Sequence, residues 1–160
     1  DHVGINRLSE LGISRGNGPL ISFDAGYGVE SFDPIVVDLF VPTDRQMALR
    51  YPGVDLAVAL ENDSLKAGNT VVATQGSAGS SGFSPETGLV TASGFKVDVK
   101  GTLGAGDVFH GALVAQIIHG YPLQESLRRA NAVAALSCLG LDAQSKIPTT
   151  TELDAYLEAH

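Results

Sequence analysis

The residues able to do chemistry gather at Gly101-Thr102-Leu103-Gly104-Ala105-Gly106-Asp107, where three glycines fall within six positions. A β-like run, Phe95-Lys96-Val97-Asp98-Val99, leads into this stretch, and an apolar helical run from Val108 to Ile118 follows it. Glycines ahead of a helix let the backbone approach a ligand closely. The first helical amides lack intrahelical acceptors, and the helix dipole favours an anion beside them. Asp107 adds a carboxylate at the same spot. Amides that can hold a phosphate, next to a base that can take a proton, point to phosphoryl transfer.

Two other glycine loops are excluded by particular residues. The P-loop pattern G-x-x-x-x-G-K-[ST] has its glycines at Gly101 and Gly106. Asp107 and Val108 then stand where the Lys and Ser/Thr that touch phosphate and magnesium are needed. A dinucleotide fingerprint G-x-G-x-x-G beginning at Gly104 and Gly106 needs glycine at 109, which is Phe109.

Thr102, Gly104, Ala105, Gly106 and Asp107 match the D-T-x-G-A-G-D signature of the PfkB, or ribokinase-like, family of carbohydrate kinases, and the chain resembles that family. Val108-Phe109-His110-Gly111-Ala112 and Arg129-Ala130-Asn131-Ala132-Val133-Ala134-Ala135-Leu136 also look like family sequence. The resemblance implies ATP-dependent phosphorylation of a hydroxyl on a sugar or similar small molecule. Asp107 would be the base, and the amides of Gly104, Ala105 and Gly106 would stabilise charge on the transferring group. It implies a three-layer α/β/α fold with a largely parallel sheet. Residues 1–160 would be the C-terminal part of one kinase domain, with an N-terminal half and lid outside this sequence. A homodimer formed through that lid is compatible with the resemblance. Asp is also a favoured helix cap, so a purely structural Asp107 stays open. So do a non-catalytic nucleotide-binding protein with this fold and a nucleoside kinase of the same family.

Further expectations carry over position by position. The family's Thr-x-Gly at a strand end, near the nucleotide, falls on Thr74 and Gly76. Asn131 stands where many members have an Asn close to the adenine pocket, although a satisfied polar residue between helices is an equal reading. An N-x-x-E that helps organise Mg2+ and phosphate is replaced here by Thr43 and Gln46. The signature's first Asp, which shapes the loop and a nearby monovalent-cation site, is Gly101. ATP and Mg2+ are the implied cofactors, and no protein metal ligand is assigned.

Composition sets outer limits. The 160 residues suffice for a domain with a sizeable core, and 44% apolar content excludes disorder. A formal charge of −8 without a Lys/Arg cluster argues against nucleic acid or an anionic membrane as partner. Cys138 is the only cysteine and lies among Ala134, Ala135, Leu136 and Leu139, which reads as a buried small hydrophobe. With no signal peptide or membrane-length apolar run, the expectation is a cytoplasmic protein. Asp1 in place of a starting Met suggests that something precedes it.

The elements that must position the site alternate as in an α/β protein. Leu20–Asp24, Ile35–Val41, Thr70–Gln75, Gly88–Gly94 and Phe95–Val99 read as strands, and Asp55–Asn62 as either strand or short helix. Asp24 ends its strand where ligands gather in open sheets, or else starts a turn through Ala25-Gly26-Tyr27-Gly28. Residues 1–19 read as mixed, with a loop at 14–19, and Gly76–Gly82 as a glycine-serine loop. Thr43 reads as the N-cap of a helix, and Asp107 leads a helix running to about His119. Pro122 opens the next helix, with Glu125 and Arg129 paired on its outer face and Leu123, Leu127, Ala130, Ala134 and Ser137 inward. A Thr149/Glu152 box caps the last helix. His110 and His119, nine residues apart, are half a helical revolution out of phase and share no metal.

Overall fold

The structure, a computed structural model, describes residues 2–25, 32–142 and 144–160. The expected turn after Asp24 lies mostly outside them. Among the described residues thirteen elements follow in order, two of them single 3-10 turns. The helices are α1 (His2–Glu10), α2 (Asp44–Arg50), α3 (Leu56–Ala67), α4 (Ala105–Ile118), α5 (Leu123–Ser137) and α6 (Thr150–Ala159). The strands are β1 (Ser22–Asp24), β2 (Leu39–Val41), β3 (Thr70–Thr74), β4 (Gly79–Ser84) and β5 (Gly88–Ser93), ordered β1-β2-β3-β4-β5 in one sheet. Among the described residues no helix is long and apolar enough to cross a membrane.

The chain forms two compact units, residues 1–73 with 83–89, and residues 74–82 with 90–160. In the first unit β1 and β2 pair in parallel with Phe23 opposite Phe40, and β2 pairs in parallel with β3 with Phe40 opposite Val71. Parallel strands need crossover segments between them, and such sheets bury both faces. All three residues of β2 are accordingly buried. Phe23, Phe32 and Phe40 stack with centroids 4.3–6.3 Å apart, over a core that includes Val37, Met47, Leu60 and Val71. Helix α3 brings Asp63, wholly buried, to within 2.7 Å of the Arg50 Nε, and the Tyr51 hydroxyl donates to it at 2.6 Å. Burial, and then the Asp63 carboxylate, push the Tyr51 hydroxyl above its ordinary pKa. Removing either charged partner would leave the other buried without its counter-charge, which costs roughly 3–5 kcal/mol.

In the second unit α4 packs on α5 and α5 on α6. Ala132, Val133, Leu153 and Leu157 form the buried seam, with Phe95, Val108, Ala112 and Tyr156 against it. Cys138 is buried, as expected.

Several elements differ from the expectations. Pro34–Val36 is a 3-10 turn capped by Asp33, so β2 begins only at Leu39. Asn69 holds that turn, its Nδ2 donating to the Pro34 and Val37 carbonyls at 2.7 and 3.1 Å. Asp55–Asn62 resolves as helix, since Asp55 accepts from the Ala57 amide and nucleates α3. Residues 2–10 are helical rather than mixed. The glycine-serine stretch becomes strand β4 after one 3-10 turn. A Cβ at Gly79 would lie 2.1 Å from the Ala92 carbonyl oxygen, so glycine there permits a close backbone approach. Phe95–Val99 belongs to no strand, and Phe95 packs on Tyr156 of α6 instead. Arg129 is not on an outer face. It is buried over the Tyr121 ring, donating to Gln116 at 2.8 Å and Asp154 at 2.6 Å.

Candidate active site

The signature loop is tied down at its entry, where the Lys100 and Gly101 amides donate to the Cys138 carbonyl at the end of α5, at 2.8 and 3.3 Å. The chain then folds into a tight turn, the Ala105 amide reaching the Thr102 carbonyl at 3.2 Å. Gly104 caps α4 with φ +71°, a left-handed conformation that L side chains adopt at a cost of roughly 1–2 kcal/mol. The Val108 amide closes the first helical bond on the Gly104 carbonyl at 2.9 Å. No side chain caps this helix. Among the described residues, the amides of Gly106 and Asp107 therefore have no backbone acceptor. A Cβ at Gly106 would meet nothing within 4 Å, so this face is open to a ligand.

Asp107 occupies the third position of α4 and is exposed, with no hydrogen-bond partner among the described residues. It borders a cleft of about 490 Å³ with Gly104, Val108, Gly111 and Ala112 of the same loop and helix, Val133 of α5, and Gln144 and Ile147. Small residues at 104, 111 and 112 keep the α4 surface low. The result is a largely apolar trough with one carboxylate, one amide side chain and a helix N-terminus at its rim.

Gln144 and Ile147, which the sequence does not flag, form a wall of this cleft. Asp142 organises it by accepting the Gln144 and Ser145 amides at 2.8 and 2.6 Å. Those bonds, the Ser145 amide first, hold the Asp142 carboxyl below its ordinary pKa. Asp two residues before a polar Gln-Ser pair is an Asx-turn signal, and it could have flagged the loop.

Other anticipated positions lie elsewhere. Thr74 ends β3, and Gly76 opens the following 3-10 turn at φ +58°. Neither lines the cleft. Asn131 is buried, its Nδ2 donating to the Ala92 and Ser93 carbonyls at 2.9 and 3.3 Å, which fastens α5 to the end of β5. Thr43 and Gln46 form a closed capping box on α2. The Thr43 hydroxyl accepts the Gln46 amide at 3.2 Å and the Gln46 Oε1 accepts the Thr43 amide at 2.6 Å, while the Gln46 Nε2 donates to the Ala25 carbonyl. A neutral amide and a hydroxyl so engaged are a poor donor set for Mg2+, which favours free carboxylate oxygens. No group of three or more His, Cys, Asp or Glu able to hold a metal occurs among the described residues.

Residues 36–150 match the model of the pfkB family carbohydrate kinases. A ribokinase of Schizosaccharomyces pombe is 33% identical over 71% of this chain and 38% of its own length. The chain spans about two fifths of the length of the curated relatives it matches. Among solved structures, a putative ribokinase II of E. coli, in complex with ATP and Mg2+, superposes with a TM-score of 0.78. That likeness is at 23% identity, over 91% of this chain and 51% of that one. A Burkholderia thailandensis nucleoside kinase in complex with inosine gives 0.74 at 22% identity, over 97% and 50%. At these identities the structures establish the ribokinase-like α/β fold, and the matched sequence establishes the family. The chain belongs to the pfkB family of carbohydrate kinases.

Proposed function

We propose that this chain is the C-terminal, phosphoryl-transferring part of a kinase domain that moves the γ-phosphate of ATP to a hydroxyl of a sugar or related small molecule. The observation that carries the reading is the start of α4, where the outward amides of Gly106 and Asp107 and the exposed Asp107 carboxylate meet at the rim of one cleft. As the acceptor hydroxyl attacks the γ-phosphorus, Asp107 takes its proton and the bond to the ADP oxygen breaks. Loop amides and the helix dipole stabilise negative charge on the transferring group. Glycine at 104 and 106 keeps side chains out of the phosphate's path. Small apolar residues along the trough suit the flat face of a base, with Gln144 able to hydrogen-bond its edge. Thr74, Gly76 and Asn131 shape the surroundings of the nucleotide in this reading. Mg2+ enters as the counter-ion of the nucleotide's phosphates, and no step is assigned to it through Thr43 or Gln46.

The test is Asp107→Asn. A positioned general base contributes roughly 10²–10⁴-fold, so turnover should fall by that factor while ATP binding measured by calorimetry persists. Near-normal turnover in this variant would remove Asp107 from the role. A non-catalytic nucleotide binder is the second reading, favoured by Gly101, Thr43 and Gln46, all of which depart from the family pattern. Nucleotide binding without turnover across a panel of sugars and nucleosides would select it.

A further inference from the structure

The cleft beside α4 carries few groups able to tell one ligand from another. Gly104, Asp107 and Gly111 recur three to four residues apart, so they lie along one face of the helix start. At a rise of about 1.5 Å per residue, Gly111 stands about 6 Å down the axis from Asp107. Of the side chains around the cleft, only those of Asp107 and Gln144 are polar, and Asp107 belongs to the helix start itself.

Gln144 differs from every other glutamine of the chain. Gln46 donates to the Ala25 carbonyl, and Gln124 donates to the Thr91 carbonyl. Gln75 accepts the Ser81 hydroxyl at 2.7 Å, and Gln116 accepts the Arg129 Nε at 2.8 Å. The Gln144 carboxamide has no hydrogen-bond partner among the described residues. Its backbone is nonetheless fixed, the amide donating to Asp142 at 2.8 Å and the carbonyl accepting the Ile147 amide at 3.2 Å. A held backbone thus brings to the cleft a side chain that is free to turn.

A carboxamide presents an acceptor and a donor side by side. Adenine offers its N6 donor beside the N1 acceptor, and guanine offers its O6 acceptor beside the N1 donor. Half a revolution about the last torsion of Gln144, which is broad and roughly two-fold, exchanges the two patterns. One residue can therefore pair with either purine, while the apolar trough contacts the faces of both alike.

We propose that Gln144 is the base-reading residue of this site, and that the phosphoryl donor is a purine nucleoside triphosphate taken without choosing adenine over guanine. This rests on the kinase reading above, because a base reaches the trough only if the α4 start holds its phosphates.

The experiment is calorimetric titration of the purified protein with Mg-ATP and, separately, with Mg-GTP. Wild type should bind the two within about threefold of each other. Gln144→Glu separates them, because a carboxylate only accepts. It suits the adjacent N1 and N2 donors of guanine and sets a second acceptor against adenine N1. The ratio of the two Kd values should move toward GTP by about tenfold, the scale on which a bidentate base contact discriminates, even as the added charge weakens both. Gln144→Ala should weaken both nucleotides by the same factor and melt as wild type does, since the carboxamide holds no protein group. A wild type that prefers one purine by more than about threefold, a Gln144→Glu ratio equal to that of wild type, or a Gln144→Ala loss confined to one purine overturns the proposal and leaves the kinase reading standing. Failure of wild type to bind either nucleotide overturns both.

Discussion

The starts of α2 and α4 solve the same problem in opposite ways. Every helix leaves its first amides without intrahelical acceptors. At α2, Thr43 and Gln46 satisfy those groups reciprocally, and Gln46 spends its remaining donors on the Ala25 carbonyl. At α4, glycine stands at the cap, no side chain folds back, and the amides of Gly106 and Asp107 stay outward beside a free carboxylate. The first arrangement stabilises a helix, and the second leaves its amides open, as the proposed anion site requires. Thr43 and Gln46 are engaged in capping α2, and the proposed chemistry rests on the start of α4 alone.

The two starts should respond differently to substitution. Against the two to four decades of turnover expected at Asp107, Thr43→Ala should cost about 1 kcal/mol of stability, the usual worth of an N-cap, seen as a lower melting temperature. It should leave ATP affinity unchanged. Loss of ATP binding in Thr43→Ala would mean that α2 also serves the nucleotide. A smaller effect is expected at α6, which copies α2 with a Thr149/Glu152 box. The Thr149 amide, first, and its hydroxyl hold the Glu152 carboxyl below its ordinary value of 4.5. A depressed carboxylate stabilises the folded state above its unfolded pKa, and that contribution fades as pH falls through the folded value. The melting temperature of wild type should therefore exceed that of Glu152→Gln at pH 6, and the gap should close below about pH 4.5. A gap independent of pH would show that the carboxylate's charge does not matter there.

How much was legible in the sequence follows the same division between local and tertiary causes. The α4 start, the Thr43 and Thr149 caps and the parallel-type strands could be read because their signals are local: glycine before a helix, Thr before a box, β-branched apolar runs. β4 was missed because Gly79 answers to a backbone lying 2.1 Å from where a side chain would begin, which no hydrophobic pattern reports. Phe95–Val99 has strand-like alternation, but Phe95 finds its partner in Tyr156, sixty-one positions on. Ile35 and Val36 are β-branched, and Pro34, capped by Asp33 and held by Asn69, turns them into a 3-10 turn. Of the cleft, Gly104, Asp107 and Gly111 belong to the readable motif. Gln144 and Ile147 come from a loop whose role depends on where the Asp142 turn delivers it.

The central claim is that the open amides at the start of α4 receive the phosphates of ATP. The direct measurement is a ¹⁵N-resolved NMR titration with Mg-ATP, following the backbone amides of Gly106 and Asp107 beside those of Thr43 and Gln46. Saturable shifts are expected at Gly106 and Asp107, absent with adenosine alone, with little change at the closed box of α2. Saturation by ATP with the Gly106 and Asp107 amides unmoved would contradict it.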